Sequence, residues 1–221
     1  MNNSFELLCL LKNAGHLKTL RDPLWWPRSR TFWVIVGAIL TQQSKWEKVE
    51  QSLENLEKAG VESLEKFFIC KLESVCELIK PSGFYNTKAK NLQALCRAIL
   101  EDFGSFESFC ETASREWLLG QKGIGQESAD SILCYACERE AMVVDAYSAR
   151  LLKAFGYEFE SYEDLQAWFC EGIDAHWDKI QALYGRDVSL NEVYARFHGK
   201  IVEFCKENSR GKIVNVESLG V

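Results

Sequence analysis

Apolar residues recur at intervals of three and four along almost the whole chain, and this spacing constrains the fold more than any other feature. The segments with this spacing are Phe5–Leu11, Thr31–Leu40, Val49–Leu56, Val75–Ile79, Leu92–Ile99, Trp117–Leu119, Ala129–Ala136, Ala149–Phe155 and Leu190–Phe204. Alternating apolar and polar runs between turn residues, the signature of half-buried β-strands, are absent. With 221 residues and 47% hydrophobic side chains, the chain can bury one large core or two modest ones. The pattern predicts an all-α fold.

A glycine-rich turn separates two helical segments within residues 117–133. One short helix runs up to the turn, and a second helix begins directly after Gly125. Such a turn points backbone N–H groups outward, where they can bind a phosphate. Lys122, Gly123 and Gly125 would form the outer side of this turn, and we expect Ile124 to pack inward between the helices. A Gly-Ile-Gly turn that only reverses the chain is the alternative interpretation.

Asp145 is the candidate catalytic residue. It follows the apolar run Met142–Val144 and lies at the start of another predicted helix, twenty residues beyond Gly125. An aspartate at a helix start ordinarily caps the helix by accepting backbone N–H bonds and has no other role. Taken alone, Asp145 therefore fits a purely structural interpretation as well as a catalytic one.

Together, the hairpin and Asp145 resemble the helix-hairpin-helix DNA glycosylase superfamily, specifically its endonuclease III-like branch. Two further stretches are similar to that branch. Gly83–Ala89 matches a Gly-x-Tyr-Asn-x-Lys-Ala helix start, and Leu40–Gln43 matches a Leu-Ser-x-Gln helix end. The four motifs keep the family's order over residues 30–155. The resemblance implies that Asp145 is the essential carboxylate and that Gln43 fills the gap left by an extruded base. It also implies that the hairpin residues Lys122, Gly123, Ile124 and Gly125 bind DNA.

We expect two helical lobes, with the helix-hairpin-helix motif at their junction and a cleft for DNA and the base between them. Residues 28–135 form one expected lobe, and residues 1–27 with 136–221 form the other, which carries the catalytic aspartate. The expected partner is double-stranded DNA, bound by a monomer.

Two departures from the family narrow the expected chemistry. Members that also cut the DNA strand carry a lysine two residues after the second hairpin glycine, and this chain has Glu127 there. Because a carboxylate cannot form a Schiff base with the sugar, we expect hydrolysis without lyase activity. Many members also hold an iron–sulfur cluster on four cysteines. After Asp145 this chain has only Cys170 and Cys205, so we expect no metal and no cofactor.

Three tryptophans near the expected base site suggest the substrate. Trp25 and Trp26 lie in an entry loop and Trp46 begins the helix after Gln43, although each could instead be a core residue. An alkylated purine such as 3-methyladenine is cationic and binds well to aromatic faces. The chain is also similar to the family's 3-methyladenine glycosylase subgroup. We therefore expect an enzyme that flips alkylated purines and releases them, leaving an abasic site.

Two alternatives to this function stay open. A glycosylase for oxidised or mismatched bases would share the fold but would fit Glu127 and the missing cluster less well. A non-catalytic hairpin module that only holds DNA would need neither Asp145 nor an aromatic pocket.

Lys200 lies on the apolar stripe of the last long helix, three residues after Phe197 and four before Phe204. A lysine in that position usually extends its amine to solvent. The alternative is a buried amine that reaches the base pocket. There it would have to be neutralised by a depressed pKa, a carboxylate partner or a covalent modification such as carbamylation.

The net charge of −6 argues mildly against a nucleic-acid partner, but it describes the chain only as a whole. Basic residues cluster within residues 18–30 and 206–212, which permits DNA binding. No apolar run approaches the length of a membrane span and no leader-like pattern begins the chain, so the expected location is the cytoplasm. The nine cysteines are interpreted as reduced thiols.

Overall fold

The structure, a computed structural model, describes residues 1–16 and 23–220, and it confirms the all-α fold. Within those residues the helices are α1 (Ser4–Asn13), α2 (Phe32–Leu40), α3 (Trp46–Lys58), α4 (Leu64–Ile69), α5 (Leu72–Leu78), α6 (Tyr85–Phe103), α7 (Phe106–Thr112), α8 (Arg115–Leu119), α9 (Gln126–Ser131), α10 (Ala146–Ala154), α11 (Tyr162–Asp174), α12 (Trp177–Tyr184) and α13 (Leu190–Asn208). Short 3₁₀ turns lie at Lys80–Ser82 and Glu217–Leu219, and a π-helical turn at Ile132–Ala136 continues α9.

Many helices begin at a polar residue whose side chain accepts one of the backbone N–H bonds that the first turn leaves unpaired. The N-caps of this kind include Asn3, Thr31, Ser63, Ser105, Ser114, Asp145, Ser161 and Ser189. The helix starts are therefore encoded locally, which is why their positions can be read from the sequence.

The chain divides into two compact units. The terminal unit comprises Met1–Pro27 and Arg139–Val221, and the central unit comprises Arg28–Glu138. In the terminal unit, α1 packs against α11 and α13, while α10 packs against α13. Its core is formed by buried leucine, valine, isoleucine and phenylalanine side chains that include Leu7, Leu11, Leu151, Phe169, Phe197 and Phe204.

The central unit is organised around two helices. In α2 the residues from Val34 to Leu40 are all buried, so this helix is apolar on every side. The longer helix α6 packs against α2, α4, α5 and α7 and buries one face, which includes the polar residues Lys88 and Asn91. Helix α2 ends three residues before Gln43, and Asn91 of α6 lies beside Gly123, so both helices adjoin candidate DNA-contacting residues.

The periodicity of the sequence does not predict one small element, a pair of short strands. Strands β1 (Ser209–Arg210) and β2 (Ile213–Val214) pair antiparallel after α13, with Gly211 in the left-handed region of the turn. Strands of two residues are too short to show an alternating pattern.

In the described ranges, no helix combines the length and apolarity that a membrane span requires.

Candidate active site and DNA-contacting residues

Asp145 uses its two carboxylate oxygens differently. The buried residues Met142, Val143 and Val144 precede it, and it caps α10. Its Oδ1 accepts bonds from Tyr147 N at 2.9 Å, Ser148 N at 2.8 Å and Ser148 Oγ at 3.1 Å. Its Oδ2 makes none of these cap bonds and lies 3.5 Å from His198 Nε2. The structural and catalytic interpretations are therefore compatible, because capping occupies one oxygen only.

The surroundings of Asp145 keep its carboxyl group ionised. The side chain is only 12% exposed, and burial by itself would raise the pKa. Hydrogen bonding and charge from His198, together with the donors of Ser148, outweigh burial and hold the pKa of Asp145 below its ordinary value. The result is a desolvated carboxylate anion at a helix N-terminus, where the helix dipole also favours negative charge.

His198 and Gly199 on α13 connect Asp145 to Trp25. The Trp25 ring meets the His198 ring edge-on at 5.4 Å, and its Nε1 donates to Glu203 Oε1 at 3.1 Å. A side chain at Gly199 would clash, because a Cβ there would lie 2.4 Å from Trp25 Cγ. Sequence reasoning missed His198, and its only available signal was a polar residue between the apolar positions Phe197 and Ile201.

The two adjacent tryptophans differ in exposure. Trp26 is buried, which favours a structural role, whereas Trp25 is only partly buried and has a left-handed backbone with φ of 76°. The two rings pack edge to face at 6.2 Å. Trp25 is therefore the less buried member of the pair.

Lys200 is 3% exposed, so the expectation that it extends to solvent is wrong. Its Nζ donates to the backbone oxygen of His16 at 2.8 Å, an acceptor contributed by a distant part of the sequence. Burial, reinforced by the positive charges of Arg196 and Lys12, lowers the pKa of Lys200 to about 8. The amine is thus much easier to neutralise than an ordinary lysine.

In the central unit, the turn after α2 presents Gln43 to solvent. Gln43 has a left-handed backbone with φ of 53°. The side chain of the preceding residue, Gln42, contacts the hairpin instead. Its Nε2 donates to Gly123 O at 2.9 Å and to Ser128 Oγ at 3.0 Å. Trp46 begins α3 three residues later and is partly buried.

The hairpin between α8 and α9 requires a glycine at position 123. Gly123 adopts a φ of 84°, and a Cβ there would lie 2.1 Å from Asn91 Nδ2, so only glycine fits. Ile124 is buried, as the sequence predicts, while Lys122 and Gly125 are exposed. Glu127 is also exposed, in the first turn of α9.

The basic residues near the start of the chain are partly neutralised. Arg28 and Arg30 each pair with a glutamate, Glu57 at 2.9 Å and Glu138 at 2.7 Å. Lys18 and Arg21 lie outside the described residues. The described ranges contain no cluster of three or more histidine, cysteine, aspartate or glutamate side chains arranged to hold a metal ion.

The sequence and structure were compared with known proteins. The profile of the HhH-GPD superfamily of base excision DNA repair proteins matches residues 36–170. The chain is 35% identical to a candidate DNA repair glycosylase of Methanocaldococcus jannaschii, over 95% of this chain and 92% of that protein.

Two solved structures are also similar. The H. pylori 3-methyladenine DNA glycosylase MagIII, bound to 1,N6-ethenoadenine, has a TM-score of 0.91 at 48% identity and covers 94% of this chain and 99% of its own. A trapped covalent complex of endonuclease III with DNA has a TM-score of 0.68 at 17% identity, over 96% and 90% of the chains. The second likeness concerns the fold alone.

Proposed function

The chain belongs to the HhH-GPD superfamily of base excision DNA repair proteins, and we propose that it is a DNA glycosylase that hydrolytically releases alkylated purines such as 3-methyladenine. The observation that carries this proposal is the Asp145 carboxylate, whose Oδ1 is held by the cap of α10 while its Oδ2 makes no cap bond. The similarity to a 3-methyladenine glycosylase over nearly the whole chain supports the choice of base.

In the proposed reaction, the damaged nucleotide first leaves the duplex, since its glycosidic bond cannot be reached inside the stack. The bond between C1′ and the purine nitrogen then breaks, and its electron pair leaves with the base. A cationic alkylated purine accepts that pair and departs as a neutral molecule. Asp145 Oδ2 stabilises the positive charge that develops on the sugar. A water oxygen then bonds to C1′ and releases one proton to the solvent, which leaves an abasic site.

We propose Trp25 and Trp46 as the stacking residues for the base, because each residue is only partly buried. Trp26, being buried, would support Trp25 rather than touch the ligand. Lys200 would suit a pocket for a cationic base only with its amine uncharged, and its lowered pKa makes that state accessible near neutral pH.

DNA would be held mainly by the central unit. Lys122 and the exposed backbone of Gly123 and Gly125 would contact phosphates, with Ile124 anchoring the turn from inside. Gln43 would occupy the gap that the flipped nucleotide leaves. Binding as a monomer and residence in the cytoplasm are parts of the same proposal, which gel filtration and cell fractionation can test.

The absence of lyase activity is proposed from Glu127. Because this carboxylate stands where a Schiff-base lysine would be needed, the product should be an intact abasic site. Borohydride added during the reaction should therefore trap no covalent protein–DNA complex. A trapped complex would show that another amine, such as Lys122, attacks the sugar.

One experiment separates the proposed function from its alternatives. Duplex DNA methylated with a simple alkylating agent is incubated with the protein, and the released bases are identified by chromatography. Free 3-methyladenine is the expected product. Release from oxidised or mismatched duplexes alone would favour the second glycosylase type, and tight binding without release from any duplex would favour a non-catalytic module.

A further inference from the structure

Lys88 joins two separate loops of the central unit through one buried ammonium group. It lies on the inner face of α6 and is 4% exposed. Its Nζ donates to Leu40 O, the last residue of α2, and to Ser82 O, the last residue of the 3₁₀ turn before α6, each at 2.8 Å. Both acceptors belong to a helix end, where carbonyl groups lack a partner within the helix.

Each tethered end leads directly into an exposed residue with a strained backbone. Three residues beyond Leu40 lies Gln43, and two residues beyond Ser82 lies Phe84, with φ of 53° and 46° respectively. Phe84 is 68% exposed, which is unusual for a phenylalanine. A left-handed backbone is unfavourable for residues other than glycine, and it persists only where neighbouring contacts impose it.

The same face of α6 also reaches the hairpin. Asn91, one turn beyond Lys88, fills the space beside Gly123 where a side chain would otherwise lie. Gln42 completes the connection, since its amide donates to Gly123 O from the turn that also carries Gln43. One helix face therefore contacts three loops, which are the two that the proposed function brings to DNA and the loop of Phe84.

We propose that Lys88 is a positioning residue for base extrusion, holding the turn of Gln43 and the loop of Phe84 at a fixed separation so that both side chains enter the duplex together. The inference rests on the proposed function. Lysine suits the task because its ammonium has three N–H donors on a long stem and can span two carbonyl groups. Burial lowers the pKa of Lys88 to about 8, but a neutral amine still has two N–H donors, one for each carbonyl.

The proposal differs from a purely structural role in what it predicts for easily extruded bases. If Lys88 aligns the loops that open a base pair, its loss should matter most where a pair must be opened. A base that is already unpaired needs less help, because the cost of extrusion is smaller. A residue that only stabilised the fold would affect both substrates equally.

The test compares 3-methyladenine placed opposite thymine with 3-methyladenine placed opposite a synthetic abasic site, in otherwise identical duplexes. Single-turnover release is measured for the wild type and for Lys88→Met. We expect the ratio of the paired to the unpaired rate to fall about tenfold or more, since small misplacements of positioning groups have effects of this size. If Lys88→Met does not fold, Lys88→Gln, which is shorter and can keep one of the two bonds, should show the same fall.

Two control variants separate alignment from stability and charge. Val75→Ala shortens a buried side chain of α5 and lowers stability while leaving both hydrogen bonds of Lys88 in place, and Lys90→Met removes an exposed charge from α6. Both should keep the wild-type ratio. A ratio for Lys88→Met within twofold of the wild type, or an equal fall in Val75→Ala at the same melting temperature, would overturn the proposal.

A second measurement does not depend on release of the base. With 2-aminopurine beside the lesion and Asp145→Asn in the background, fluorescence reports unstacking, and Lys88→Met should reduce its rate on the paired duplex. An unchanged unstacking rate would also overturn the inference. A wild-type protein that released no methylated base would defeat the proposed function, while this measurement would still decide the role of Lys88.

Discussion

The terminal unit keeps its candidate reactive groups out of water, whereas the central unit exposes its candidate DNA-contacting groups. Asp145, His198 and Lys200 are all nearly buried, while Gln43 and Lys122 are exposed. A carboxylate that stabilises a developing cation acts most strongly in a dry, fixed environment. Groups that bind the DNA backbone must instead remain accessible to solvent, and each contributes modestly to the affinity for DNA. Substitutions in the two units should therefore affect different measured quantities.

The largest expected effect is that of Asp145→Asn on base release. The amide keeps the shape and can still cap α10 through its oxygen, but it lacks the charge. We expect base release to fall by at least about 10²–10³-fold, the range seen when an electrostatic stabiliser is removed from an active site. Single-turnover kinetics on methylated duplex, with DNA affinity measured in parallel, check this outcome.

Affinity for DNA should change little in the same variant, since Asp145 makes no proposed phosphate contact. Near-normal base release by Asp145→Asn would remove this residue from the mechanism. Asp145→Ala is a poorer test, because deleting the cap costs about 1 kcal/mol of stability as well.

Trp46→Ala tests whether a residue of the central unit also contributes to the base site. Stacking on a base contributes about 1–3 kcal/mol, so release of 3-methyladenine should fall roughly 5- to 150-fold. Trp46→Phe, which keeps an aromatic face, should restore most of the activity. Equal losses of activity and of affinity for undamaged DNA would instead assign Trp46 to general binding or to the core.

How far the sequence predicts these sites depends on how local each one is. The hairpin and the Asp145 cap arise from residues within a few positions of one another, so glycine spacing and a helix start were enough to find them. His198 could not be paired with Asp145 in this way, because the contact joins α10 to α13 and depends on how those helices pack. The sequence left the burial of Lys200 open for the same reason, since its acceptor is a distant backbone carbonyl.

The turn after α2 shows a finer limit of sequence reasoning. The family motif identifies Gln43, but the side chain that fixes the turn to the hairpin belongs to Gln42. Neighbouring residues of the same type can be told apart only when the backbone conformation is known. Here the positive φ of Gln43 directs the two side chains to different surroundings.

Lys122→Ala should weaken DNA binding by a smaller factor and in a way that depends on salt. Loss of one phosphate contact reduces the slope of log K against log salt by roughly 0.9 for duplex DNA. The effect should be the same for damaged and undamaged duplexes, because a phosphate contact carries no base information. Lys66→Ala, an exposed residue on α4 paired with Glu62, should leave the slope unchanged. A slope unaltered by Lys122→Ala would exclude this phosphate contact.

The smallest expected effect concerns the pH dependence of stability, which reports on the buried amine of Lys200. Its pKa is about 8 in the folded protein, against 10.5 as the ordinary value. Below pH 8 the Lys200 amine is protonated in both the folded and the unfolded protein. Between pH 8 and 10.5 it is protonated only in the unfolded protein, so Lys200 makes the free energy of unfolding rise with pH in this range. Buried thiols such as Cys205, whose pKa is raised to about 12, act in the opposite direction, so the wild type alone is uninformative.

The informative quantity is the difference in unfolding free energy between the wild type and Lys200→Met, measured in urea at pH 7.5 and 9.5. One proton changes stability by at most about 1.4 kcal/mol per pH unit, so the difference should shift by about 1–2 kcal/mol in favour of the wild type at the higher pH. Lys206→Met, an exposed lysine on the same helix, should show no such shift. A pH-independent difference for Lys200→Met would mean that its amine titrates as it does in water, and the argument for an uncharged Lys200 beside a cationic base would then fail.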